Sequence, residues 1–214
     1  MCDTICHFNV YNSSIMLINL GKNVIKIIYI YLLSVALVLI SHLPNDIVFF
    51  SSSIEDSLYL TQSTLFWIYL IAITWFAHKS QLYNFERGVK DLKYSPYWVG
   101  IWWFIPFINL WMPYMVIKET YLSSYKSKKH KLNYEDKNIF YSWWGSLLLA
   151  YFLPMVGRTI GRINYGMFTP EYFELMIPFQ IASYIMYAFS AFSFIGIIKQ
   201  ISSNEIKTLE ENKT

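Results

Sequence analysis

The sequence predicts an all-α, multi-pass membrane protein: four spanning helices plus a proline-broken element that re-enters or lies in the interface. Three observations lead there. Hydrophobic residues make up 55% of the chain and charged residues 14%, against about 25% charged in soluble domains. The apolar residues fall in blocks, and about 20 of them suffice to cross the hydrocarbon core. One block, Ser95 to Lys118, is interrupted by Pro106, Asn109 and Pro113. With 214 residues, this leaves one membrane domain, residues 22–201, and no separate soluble core.

The first span is expected at 27–43, after Lys22 and Lys26 and after a polar N-terminal tail, residues 1–21. The charge-then-apolar order resembles a signal peptide. The leader is long, however, and no small-x-small cleavage site follows, so the helix is read as uncleaved. Cys2, Cys6 and His7 cluster in the tail. Their spacing fits no haem attachment and no fourth ligand accompanies them, so no metal or cofactor is expected. A loop from Pro44 to Ser57 precedes the second span, 58–77. Beyond it, Leu82, Phe85, Val89 and Leu92 recur at helical spacing, which describes an interfacial helix or an extension of the span. The later spans are expected at 139–156 and 179–198. Thr169-Pro170-Glu171 is a cap-plus-proline helix start, and residues 202–214 form a charged, loose tail.

The broken element, residues 95–118, begins with a serine cap and a proline at the first helical position. Pro106 cannot bond back to the carbonyl of Trp102, nor Pro113 to that of Asn109. A backbone group freed in hydrocarbon costs several kcal/mol unless a neighbour satisfies it. The Asn109 amide is placed to serve one, or to line a polar cavity. Trp98, Trp102, Trp103 and Trp111 favour the headgroup level.

Charge distribution weighs re-entry against a fifth crossing. If residues 97–117 span, eight basic residues lie on the N-terminal side and nine on the other. If they re-enter, fifteen of the seventeen lie inside and only Arg158 and Arg162 outside. Re-entry therefore obeys the positive-inside rule, with both termini cytoplasmic. Twenty-one residues do suffice to span, so five helices remain the alternative.

Arg158 and Arg162, four apart on one helical face, are the sharpest polar signal. Two guanidiniums there suit a phosphate-bearing headgroup. The structural reading has them snorkelling or pairing with Glu171 and Glu174. Gly157 and Gly161 share their spacing, a pattern that lets another helix approach. His42 and His78 near helix ends read as structural. Lys126, Lys128, Lys129 and Lys131 are suited to anionic lipid. No catalytic motif is present: no H-E-x-x-H, no G-x-S-x-G and no Gly-rich phosphate loop.

Trp75-Phe76 and Asn84, then Tyr94-Ser95-Pro96-x-Trp98, then Trp103-Phe104-x-Pro106-x-x-Asn109-Leu110-Trp111-x-Pro113, then Trp143-Trp144, resemble the bacterial membrane family known as domain of unknown function 4328. The resemblance runs from about Leu58 to the last helix. It implies a bacterial multi-pass membrane protein and supplies no activity or site residues.

The expectation is a non-enzymatic protein of the bacterial cytoplasmic membrane. It would act through the lipid bilayer, an anionic lipid, a partner membrane protein or a second copy, and not through nucleic acid. The alternative is a small channel or transporter with its polar site at the broken helix around Asn109.

Overall fold

The computed structural model describes residues 2–42, 52–89, 92–102, 105, 108, 111–124, 134–167 and 169–211. They form six helices: α1 (Cys2–Ser41), α2 (Ser52–Glu86), α3 (Pro96–Trp102), α4 (Met112–Ser123), α5 (Tyr134–Tyr165) and α6 (Pro170–Glu211). No strand occurs among the described residues.

Four of these are long and apolar enough to cross a membrane, over Ser13–Ser41, Asp56–Glu86, Lys137–Tyr165 and Pro170–Lys207. They contain the predicted spans 58–77, 139–156 and 179–198, and the first, 27–43, as far as Ser41. The Ser95–Lys118 stretch is not one rod. It yields α3 and α4, which touch each other and which at 1.5 Å per residue are only about 10 and 18 Å long. Neither reaches across the hydrocarbon core alone. Pro96 opens α3 as predicted. Pro113 falls in the first turn of α4, where a missing N–H removes no helical bond. Its part in the break is thus to restart the helix. Pro106 and Asn109 lie outside the described residues.

Helix ends run past the sequence reading, with α2 starting at Ser52 inside the predicted loop and α5 ending at Tyr165, and the two chain ends differ most. The stretch taken as a polar tail, 1–21, is helical from Cys2 onward. Ser14, Leu17, Ile18, Gly21, Val24 and Ile28 are buried in succession along it. That is a helical stripe, but a serine and a glycine stand in it, so hydropathy alone does not display it. The stretch taken as a loose tail, 202–214, is helical to Glu211. There the stripe runs Ile198, Ile201, Glu205, ending on a carboxylate.

α2 likewise extends to Glu86, but its buried face is not the apolar one. Phe85 is exposed, while Ser80, Gln81, Tyr83 and Asn84 are buried. Gly88, with φ of 71°, takes the left-handed conformation just past the helix end that glycine adopts without strain. Gly166, with φ of 77°, does the same after α5.

The chain divides into two compact units: Met1–Ile28, Ile68–Phe140 and Ile195–Thr214 in the first, Tyr29–Trp67 and Tyr141–Phe194 in the second. The first is cored by Ile73, Phe76, Ile117, Tyr121, Phe140 and Ile197, with Tyr121 and Phe140 edge to face at 5.2 Å. The second is cored by Tyr31, Val35, Val38, Trp143, Ala150 and Phe194, with Trp143 and Phe194 ring centroids 4.9 Å apart.

Candidate functional site

In the second unit, α5 and α6 are held together by a repair. Pro154 lies inside α5 and has no N–H for the carbonyl four residues back, that of Ala150. The Ser183 hydroxyl on α6 donates to that carbonyl at 2.7 Å. This is how a proline becomes tolerable in a spanning helix: a neighbouring side chain satisfies the group it frees. The predicted glycine face packs here too. A Cβ at Gly157 would stand 2.7 Å from the Phe179 ring, and one at Gly161 2.8 Å from the Tyr172 ring. Only hydrogen fits at either position. The start of α6 is as predicted, with the Thr169 hydroxyl accepting the backbone N–H of Tyr172 at 3.2 Å.

The same helices enclose a partly open cavity of about 270 Å³. α2 supplies Gln62, Ser63 and Phe66; α5 supplies Pro154 and Arg158; α6 supplies Gln180, Ser183, Tyr184 and Tyr187. Arg158 is the one charged lining residue. The rest of the polar lining is amide and hydroxyl, with no carboxylate, histidine or cysteine among the described residues that form it. Among the described residues Arg158 and Arg162 form no ion pair with Glu171 or Glu174. The structure therefore separates the two predicted arginines. Both are exposed, but Arg158 lines the cavity, whereas Arg162, one turn on, does not.

Nearby in this unit the His42 ring bonds the Val38 carbonyl through Nδ1 at 2.8 Å and the Tyr59 hydroxyl through Nε2 at 3.1 Å. Its ring approaches that of Tyr184 at 6.1 Å. His42 thus supports a wall of the cavity without lining it.

The first unit carries a second polar cluster, which sequence reasoning missed. Glu205, buried on α6, pairs with Arg87 at 3.2 Å and accepts the Tyr83 hydroxyl at 2.8 Å. The Tyr83 oxygen also lies 2.7 Å from the Ser14 hydroxyl of α1. Arg87 donates further to the Asn84 side chain at 3.3 Å and to the Ser123 carbonyl at the end of α4. Glu119 of α4 accepts from the Gln81 amide and, at 2.6 Å, from the backbone N–H of Lys93. His78 contacts the Pro96 carbonyl at 2.8 Å, tying α2 to α3. Arg87 and Glu205 are paired, while the buried Ser80 Oγ, Gln81 Oε1, Asn84 Nδ2 and Thr120 Oγ1 have no hydrogen-bond partner among the described residues. The bonded groups join α1, α2, α4 and α6. Its one sequence signal is the helical spacing of Ser80, Asn84 and Arg87, which continues the buried stripe of Tyr69, Ile73 and Phe76.

No curated protein and no solved structure matches the chain. A family model described as a domain of unknown function, DUF4328, matches residues 42–203. That match takes in the cavity, both short helices, α2, α5 and most of α6, and stops short of α1; the chain belongs to the DUF4328 family.

Proposed function

We propose that this protein resides in the bacterial cytoplasmic membrane with both termini cytoplasmic and acts by binding, not catalysis, holding an anionic lipid by its headgroup at Arg158. The observation that carries the reading is an arginine lining a polar cavity between spanning helices, with neither nearby glutamate paired to it. Arg158 is exposed and has no internal counter-charge among the described residues, so its guanidinium is open to an anionic ligand. A guanidinium grips phosphate oxygens in a two-pronged geometry.

Charge placement supports the orientation. Of the seventeen basic residues, all but Arg158 and Arg162 belong to the first unit. A cytoplasmic position for that unit's loops and chain ends obeys the positive-inside rule. The short α3 and α4 lie in that unit as well, which favours re-entry over a fifth crossing. Among the described residues the cavity lining holds no base to activate a nucleophilic hydroxyl.

The test is lipid retention by the full chain purified from bacterial membrane in mild detergent, read by native mass spectrometry. Wild type retains an anionic phospholipid, Arg158→Gln loses it, and Arg162→Gln keeps it. Retention unchanged in Arg158→Gln overturns the reading. For orientation, a reagent that cannot cross the membrane should label a cysteine placed at Lys128 only after the inner face is exposed.

A further inference from the structure

The lining of the cavity in the second unit also discriminates among headgroups. We infer that it selects a phosphodiester bearing a polyol, the chemistry of phosphatidylglycerol, over headgroups ending in an amine. The inference rests on the anionic-lipid reading above and extends it to the part of the ligand beyond the phosphate.

Size comes first. Pockets that engulf drug-sized ligands run from about 300 to 1,000 Å³. At about 270 Å³ this cavity takes a headgroup and leaves the acyl chains outside, along the exposed apolar flanks of the helices.

Charge comes next. A phosphodiester carries a single negative charge, and the lining carries a single positive one, Arg158. A phosphomonoester carries roughly one and a half to two negative charges, more than one guanidinium neutralises. An ethanolamine headgroup brings its own ammonium. That group would sit beside Arg158 with no lining carboxylate to receive it, a like-charge contact.

The remaining polar groups decide the rest. Gln62 on α2 and Gln180 on α6 both face the cavity. Each amide offers two donors and an acceptor, and each glycerol hydroxyl is itself both donor and acceptor. Ser183 already donates to the Ala150 carbonyl, so its hydrogen is not available. The two glutamines, beside the hydroxyl-bearing Ser63, Tyr184 and Tyr187 of the same lining, offer the amide groups that match a diol. A site built to hydrogen-bond a ligand's hydroxyls disfavours a ligand that lacks them.

The experiment is competition in nanodiscs of phosphatidylcholine doped in turn with phosphatidylglycerol, phosphatidic acid or phosphatidylethanolamine, using the full chain. Wild type should retain phosphatidylglycerol ahead of phosphatidic acid and exclude phosphatidylethanolamine. Gln62→Leu with Gln180→Leu should weaken phosphatidylglycerol about five- to tenfold and leave phosphatidic acid unchanged. A thermal melt confirms that the double variant folds; if it does not, the wild-type order among the lipids alone decides. Equal retention of the two anionic lipids, still lost in Arg158→Gln, overturns the polyol inference and leaves the anionic reading standing. Retention indifferent to Arg158 overturns both. So does preference for the choline lipid, which would assign the rings of Phe66, Tyr184 and Tyr187 to a quaternary ammonium. Soluble glycerophosphoglycerol, a phosphodiester, displacing the lipid at equal concentration would overturn the lipid source and keep the headgroup chemistry.

Discussion

Arg87 and Arg158 are the same residue put to different uses. Arg87, in the first unit, spends its donors on Glu205, Asn84 and the Ser123 carbonyl, and stacks 4.9 Å from the Tyr83 ring. Arg158, in the second, meets a cavity and no carboxylate. A paired arginine in a packed setting holds helices in place. An arginine left without an internal counter-charge has its donors open to an external one. Which of the two an arginine becomes depends on what the other helices bring to it, and its own sequence neighbours do not say.

The largest test of that contrast falls on Arg87. Arg87→Met strands the buried Glu205 carboxylate and should cost about 3–5 kcal/mol of stability, read by denaturant unfolding in detergent. Adding Glu205→Met should recover much of the loss, because removing both charges leaves none uncompensated. If the double variant is no better than the single, the pair is not what stabilises the first unit.

In the second unit, Gly157→Ala forces a methyl into the Phe179 ring and should cost about 1–3 kcal/mol, seen as a lower melting temperature. Ser183→Ala orphans the Ala150 carbonyl, at about 1–3 kcal/mol. Combining it with Pro154→Ala returns an N–H to α5, so the double variant should melt above Ser183→Ala alone. The smallest stability effect is expected at Arg158. Arg158→Gln should change stability by no more than about 0.5 kcal/mol while abolishing anionic-lipid retention. A large loss of stability there would place Arg158 in the same class as Arg87.

Much of the architecture was legible. Four apolar blocks announce four long helices, and the prolines between Ser95 and Lys118 announce that the block there cannot be continuous. Helix extent was less legible, because burial and hydropathy part company at the ends. Ser14 and Gly21 occupy inward positions of α1, and Glu205 occupies one on α6. Polar residues in a stripe look like solvated ones until their partners are known. Arg158 could be picked out because charge beside an apolar block is expensive. The cavity could not, since Gln62 and Gln180 are more than a hundred residues apart and neither is unusual alone. Glu205 was hidden for the same reason: its partners Arg87 and Tyr83 come from a different helix.

The hydroxyl of Ser183 on the Ala150 carbonyl has a consequence for descent. Proline at 154 creates a debt in α5 that one atom of α6 settles, so neither position is free to drift by itself. Across relatives the two should be inherited as a couple: lineages that replace the proline can shed the serine, and those that keep it should hold serine or threonine at the facing position.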